Sequence, residues 1–275
     1  MIRPDPPIIL IRGAGDLASG VAHRLFRSGF GIVMTEIASP LSVRRLASFS
    51  EAVFEGQTVV EGVRAQLCGA VDDAPPVIRS GSIAVLVDPA AHCRNAMPFL
   101  AAVEGRMLKA EITDPVHPAL FTIGLGPGFT AGVNCGAAVE TNRGADMGRV
   151  LWQGSTQEDT SEPEMVLGIR SERVLRAPAS GTLTTFTQIG CLVDKGSPLA
   201  EIGGTPILAP FTAVVRGLLR NGTHVQRGMK IGDLDPRCDP ALCYKVSDKS
   251  LATGGGVLEA LLSNAKIRQA LGKSA

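Results

Sequence analysis

Gly13, Gly15 and Ala18 occupy the fixed positions of a G-x-G-x-x-A turn, inside Arg12-Gly13-Ala14-Gly15-Asp16-Leu17-Ala18. These residue types suit one task, seating a diphosphate on backbone N–H groups. Gly13 permits a sharp turn, Gly15 lets a phosphate approach the main chain, and Ala18 lets the following helix sit close to its strand. The amides of Ala14, Gly15, Asp16 and Leu17 would then face the anion at the helix start. Glu36 stands 21 positions after Gly15, where an acid can accept from a ribose hydroxyl. Asp16 departs from the pattern. A carboxylate beside phosphates repels them unless it caps the helix or meets a cation. The same turn also joins a strand to a helix with no ligand at all, so two readings stand.

Other candidates cluster later. Gly126-Pro127-Gly128-Phe129-Thr130-Ala131-Gly132 is a second glycine-rich loop, and Gly126 and Gly128 are its candidate ligand contacts. Cys135 follows it and is the thiol best placed for sulfur or selenium chemistry. A reactive thiol needs an exposed, electropositive setting, so a buried structural cysteine is the competing reading. Glu140-Thr141-Asn142-Arg143-Gly144 reads as a substrate contact or a hairpin turn. Arg44 and Arg45 point about 100° apart on a helix, which puts Arg44 in the ligand crevice or both on a solvated face. Asp88, His92, Cys93, Asp114 and His117 lack HxH, HExxH or CxxC spacing, so no metal is expected. No GxSxG elbow occurs, and no Ser/His/Asp set can be assigned.

The elements that must hold these residues follow from hydrophobic period. Pro7 to Ile11 and Gly31 to Glu36 are continuous apolar runs typical of strands buried on both faces. Between them Leu17, Val21 and Leu25 recur at helical spacing, closed by Ser28-Gly29. Ser39-Pro40 reads as a helix start leading to Phe49, Val53 and Phe54. Ile83–Asp88 and Leu120–Leu125 read as further strands, with a helix end and a strand between Val103 and Ile112. This predicts an α/β fold, with a Rossmann-like, mostly parallel sheet over residues 1–154. A polar, acidic stretch, 155–164, reads as a linker. Residues 238–275 read as a helical segment packing back on one of the domains. Val257, Leu258, Leu261 and Leu262 lie on its apolar face, and Gly254-Gly255-Gly256 reads as a loop before it.

Residues 165–237 form the second expected domain, small and all-β. Leu175-Arg-Ala-Pro is echoed by Leu208-Ala-Pro, and an offset of 32 pairs Gly190 with Gly222, Val193 with Val225, Lys195 with Arg227 and Gly196 with Gly228. A repeat of short glycine-punctuated strands points to a small barrel or sandwich. Val174 to Arg237 resembles the biotinyl/lipoyl-type barrel-sandwich hybrid. In that family a lysine on the joining hairpin carries the cofactor. Here Gly203-Gly204 stands at that tip, so no covalent biotin or lipoate is expected.

The chain has 275 residues, 45% of them apolar, with 27 Lys+Arg against 26 Asp+Glu. That balance excludes a strong basic field, and aromatic residues are 4%, so no nucleic-acid partner is expected. No apolar run reaches the ~18 residues of a membrane span, and the proline-bearing start lacks a signal-peptide layout. The expectation is a cytoplasmic protein with six reduced cysteines, free of membrane partners; an oligomer remains possible.

Several segments together resemble one family. Ile11-Arg-Gly-Ala-Gly-Asp-Leu-Ala-Ser-Gly20, Met34-Thr-Glu36, Arg44-Arg45, Gly124-Leu-Gly-Pro-Gly-Phe129, Glu140-Thr-Asn-Arg-Gly144 and Gly255-Gly-Val-Leu-Glu259 look like the accessory proteins of the selenium-dependent molybdenum hydroxylase system. The resemblance runs nearly end to end and carries no catalytic residue. It implies a role in maturing a molybdenum hydroxylase, with that enzyme or its maturation machinery as partner. It also implies a nucleotide-containing ligand such as a molybdopterin dinucleotide. An NAD(P)-dependent oxidoreductase and a non-catalytic interaction module are the alternatives.

Overall fold

The structure is a computed structural model, and it describes residues 6–108, 120–160 and 162–273. The expectations for Asp114, His117 and a strand reaching Ile112 lie outside the described residues. The fold is mixed α/β, with one large parallel-rich sheet and separate small antiparallel sheets. The chain divides into two compact units. One comprises Met1–Pro40, Ser48–Asp159 and Val246–Ala275; the other comprises Leu41–Ala47 and Thr160–Lys245.

In the first unit β1 (Ile8–Arg12), α1 (Asp16–Arg27) and β2 (Gly31–Glu36) follow the apolar runs directly. Then come α2 (Ala52–Glu55), β3 (Gln57–Val60), β4 (Val63–Cys68), α3 (Ala74–Arg79), β5 (Ile83–Val87) and β6 (Ala101–Glu104). β7 (Phe121–Leu125), β8 (Thr130–Ala131), β9 (Ala137–Val139), β10 (Val150–Leu151) and β11 (Gly154–Ser155) complete the strands of this unit. The large sheet runs β10-β9-β7-β6-β1-β2-β5-β4-β3. All strands from β9 to β4 in that order are parallel, with antiparallel β10 and β3 at the edges. Ile9, Leu10 and Ile11 are fully buried because β1 is central and covered on both faces.

Ser39-Pro40 does not open a long helix. The chain instead makes 3-10 turns at Arg45–Ala47 and Phe49–Glu51 before the single turn of α2. The Phe49 amide donates to Ser19 Oγ at 2.7 Å, which ties this stretch to α1 rather than to a helix of its own.

α4 (Asp248–Ser263) and α5 (Ala265–Lys273) close the unit. Gly254, Gly255 and Gly256 lie inside α4, not in a loop before it. Glycine inside a helix costs roughly 1 kcal/mol relative to alanine. Here it permits close approach to α1: a Cβ on Gly254 would sit 2.8 Å from Arg24 Cγ and 3.1 Å from the Gly20 carbonyl oxygen. A Cβ on Gly256 would collide with the Gly148 carbonyl. Val257, Ala260 and Leu261 are thereby buried with Val21 and Leu25, and each large side chain so buried contributes roughly 1.5–3 kcal/mol.

The second unit contains β12 (Val174–Arg176), β13 (Gly181–Thr185), β14 (Leu192–Val193), β15 (Pro198–Ile202), β16 (Thr205–Leu208), β17 (Ala213–Leu218), β18 (His224–Val225) and β19 (Lys230–Asp235). Its sheets run β12-β19-β17-β14 and β16-β15-β13-β18, all antiparallel. The 32-residue offset maps one sheet onto the other strand for strand, so each sheet interleaves both copies. Hydrogen bonds repeat as well. The Gly196 amide donates to the Ala209 carbonyl and its counterpart Gly228 to the Ala177 carbonyl, both at 2.8 Å. Gly203 and Gly204 make the exposed turn between β15 and β16.

Candidate functional site

The order of the sheet fixes where the first glycine turn lies. From β1 the chain moves outward through β2, β3 and β4, returns in β5, and resumes on the other side of β1 with β6. The direction of winding therefore reverses between β1 and β6. In open α/β sheets ligands bind outside the carboxyl ends of the strands at that point. Gly13 sits there with φ +89°, a conformation glycine adopts without strain. A Cβ on it would lie 3.2 Å from the backbone of Gly105 and Arg106, just beyond β6.

The turn is pinned from beneath. The Gly13 amide donates to the Thr35 carbonyl at 2.8 Å, and the Ala14 carbonyl accepts from Ser19 Oγ and the Ser50 amide, each at 2.9 Å. Gly15 is the N-cap of α1, and no side chain caps the helix among the described residues. The first-turn amides are thus left to main chain, water or ligand. Leu17 contributes only backbone, since its side chain packs on the core. Asp16 lies in the first turn, where the helix dipole favours an acid, and Asp16 Oδ1 accepts from Ser250 Oγ at 3.4 Å.

Glu36 is turned into this site. Its Oε1 accepts from the Ala14 amide at 3.0 Å and its Oε2 from the Ile37 amide at 2.7 Å. A carboxylate has about four acceptor sites, so two bonds orient Glu36 and leave capacity for a hydroxyl. One amide of the nest, that of Ala14, is already taken by this side chain.

Beneath the turn lies a cluster that sequence reasoning missed. Arg12 and Glu104, at the carboxyl ends of β1 and β6, are 1% and 2% exposed. Arg12 Nη1 lies 3.3 Å from Glu104 Oε2, and Arg12 Nη2 donates to the Pro89 carbonyl at 3.1 Å. Arg106 meets the same carboxylate twice, at 2.7 and 2.8 Å. Two guanidiniums share one carboxylate, while Glu36 and Asp16 add negative charge at the same end of the sheet. The available signal was Arg12 itself, a cation ending a buried apolar strand, which must find a partner.

The second glycine loop emerges from β7, two strands from β1, hence about 10 Å away at the usual strand spacing. Its polar groups are largely used within the loop. The Gly126 amide donates to the Val139 carbonyl at 3.0 Å, and the Gly126 carbonyl accepts from Thr156 Oγ1 at 2.5 Å. The Gly128 carbonyl accepts from Asn134 Nδ2 at 2.9 Å. Glu140, 2% exposed, accepts the amides of Thr141, Asn142 and Gln157 at 2.6–2.7 Å. That carboxylate organises the loop and is spent on it.

Arg44 does not join the crevice. It belongs to the second unit, where its guanidinium donates to the Leu242 and Lys245 carbonyls at 3.2 and 2.6 Å. It is 6% exposed, and a buried guanidinium must be spent on acceptors. Arg45 donates to the Leu218 carbonyl at 3.1 Å.

Cys135 is buried, and burial pushes its thiol up to about 11, so it is protonated near neutral pH and makes a poor nucleophile. Burial likewise raises Cys68 to about 11 and Cys93 to about 12. Alkylation of the native protein with iodoacetamide near neutral pH is therefore expected to label exposed Cys191 first and to spare Cys68, Cys93 and Cys135. Peptide mass spectrometry reads the outcome, and early label at Cys135 contradicts it.

Arg143 forms a double hydrogen bond with Asp248 at the start of α4, at 2.7 and 2.8 Å. That bond holds the Asp248 carboxyl down at about 2. A depressed carboxyl stabilises the fold above its unfolded value of ~3.9, and that contribution is lost as pH falls toward about 2. In an Arg143→Gln variant, carboxyl NMR should show Asp248 titrating near the ordinary value; an unmoved titration removes Arg143 as the cause.

No group of three or more potential metal ligands occurs among the described residues, and no helix among them is long and apolar enough to cross a membrane. No family model matches the chain. The uncharacterized protein YqeB of Escherichia coli K12 is 44% identical over 266 residues, which span 95% of this chain and 49% of that protein. The chain thus spans about half the length of the curated relative it matches. The crystal structure of an aspartoacylase family protein from Mesorhizobium loti aligns over 84% of this chain and 85% of that one, at 12% identity and a TM-score of 0.26.

Proposed function

We propose that the chain is an accessory protein that binds a nucleotide-containing cofactor or its precursor during maturation of a molybdenum hydroxylase. In this reading a Rossmann-like unit seats a diphosphate on the amides of Gly15, Asp16 and Leu17, and Glu36 accepts from a ribose hydroxyl. The observation that carries it is the glycine turn at the reversal of strand order, opening onto a helix that no side chain caps among the described residues. The Arg12–Glu104–Arg106 cluster supports it by placing two guanidiniums at the same end of the strands. The second unit, a barrel-sandwich hybrid without a carrier lysine, serves as a docking surface for the hydroxylase or its maturation machinery. The burial of Cys135 supports holding over chemistry.

Calorimetric titration tests the proposal. A molybdopterin dinucleotide or cytidine diphosphate should bind with one-to-one stoichiometry and NAD(P) weakly. Binding of NAD alone supports the oxidoreductase reading instead, since an acid at the end of β2 suits a free 2′-hydroxyl over a 2′-phosphate. Silence toward every diphosphate ends both readings and leaves an interaction module.

A further inference from the structure

We infer that the second unit docks an extended, arginine-bearing segment of a partner protein on the outer face of its β16-β15-β13-β18 sheet, around Glu201. The unit's other sheet reveals what such a face takes. The 32-residue offset maps Glu201 onto Asp233, Thr184 onto Arg216 and Phe186 onto Leu218. On β17 and β19 these positions are covered by the chain's own side chains and segments. Asp233 is buried, pairs with Arg216 at 2.5 Å, and lies 3.6 Å from Arg173 Nη2. Residues 41–47 lie against β17. The Leu218 amide donates to the Val43 carbonyl at 2.9 Å, and Arg45 Nε donates to the Leu218 carbonyl at 3.1 Å. Arginines thus meet the acid, and a short stretch holding two more arginines lies over the buried leucine.

The corresponding face stays exposed. Register sets Thr184, Glu201 and Pro206 in one row across β13, β15 and β16. Thr184 and Pro206 are open to solvent. Glu201 is only partly exposed, yet it makes no hydrogen bond or ion pair among the described residues. It is the one acid on the strands of this sheet, and His224 is the one base. Leu208, two residues beyond Pro206, is 50% exposed, and Phe186, directly after β13, is 54% exposed. A partly buried carboxylate without a donor favours a cation, and the flanking apolar side chains favour a packed contact. Guanidinium suits the carboxylate because it forms forked bonds and is weakly hydrated. This face depends on the docking role assigned to the second unit and not on the diphosphate seat.

The probe is the blocked peptide Leu-Ser-Val-Arg-Arg-Leu-Ala, the sequence that lies against β17, titrated into the isotope-labelled full chain and followed by amide NMR. It should bind saturably, with shifts confined to β13, β15, β16 and Phe186. The same peptide with glutamate in place of both arginines should bind about fivefold or more weakly. Glu201→Lys should weaken the arginine peptide by a similar factor and leave diphosphate affinity unchanged. Circular dichroism checks that the variant folds; if it does not, Glu201→Gln decides, with a loss of about twofold or more. Lack of saturation, shifts on β17 instead, equal affinity for the two peptides, or affinity unmoved in the folded variant would each overturn the face. A dimer in sedimentation that Glu201→Lys dissolves would also overturn it, since the occupant would then be a second copy of the chain. A failed peptide titration leaves the diphosphate seat standing, and silence toward diphosphates leaves this face standing.

Discussion

A Gly15→Val variant is expected to fold like the parent and to lose diphosphate binding by at least about 100-fold, equivalent to about 2.7 kcal/mol. Gly15 has φ −69° and ψ −179°, ordinary extended backbone that valine adopts freely. Exchanging glycine for valine at an N-cap costs helix stability about 1 kcal/mol at most. In the proposed seating a phosphate approaches the Gly15 main chain closely, and a side chain there would keep it off. Gly13→Ala would not be informative in the same way, because φ +89° and the nearby Gly105–Arg106 backbone destabilise the fold itself. Melting temperature and calorimetry on Gly15→Val separate the two effects. Unchanged affinity in a folded variant sinks the assignment of the turn.

Removing the shared carboxylate should have the largest effect on stability. Glu104→Ala leaves the Arg12 guanidinium, 1% exposed, without the acid it faces, and breaking a buried pair this way costs about 3–5 kcal/mol. Arg106 is partly exposed and can turn to water, so the loss is carried mainly by Arg12. A double Arg12→Met, Glu104→Met variant removes both charges and should recover most of that loss, because apolar residues of similar volume replace buried pairs well. Urea denaturation measures both. A Glu104→Ala loss below about 1 kcal/mol would mean water reaches Arg12 and the cluster is not buried in solution.

The strand–turn–helix opening was legible because nothing local opposes it: the apolar runs, the 3.6-residue period and the glycines agree. The second unit was legible for a different reason, since a 32-residue echo survives in any frame and the sheets repeat it strand for strand. Legibility fails where long-range contacts override local preference. Three successive glycines read as a loop, yet Gly254–Gly256 are helical, because a side chain on Gly254 would meet α1 and one on Gly256 the Gly148 carbonyl. Arg44 read as a crevice residue because its acceptors lie near residues 242–245, almost 200 positions away. At the site, Glu36 was recognised by its position, while Arg12, Glu104 and Arg106 were not, because a pairing between neighbouring parallel strands leaves no spacing rule in the sequence.

The placement of α4 has a consequence for biosynthesis. The helix that buries the outer face of α1 is encoded after the whole second unit, since Asp159 and Val246 are 87 positions apart. At about 5–20 residues per second, a ribosome needs roughly 4–17 s to cross that interval. Through it Val21 and Leu25 wait, on a nascent chain, for a covering not yet translated. Residues 41–47 likewise emerge long before β17, against which Val43 packs at Gly217. The second unit, whose last residue is Lys245, is therefore complete on the polysome while the first still lacks the helix that covers α1.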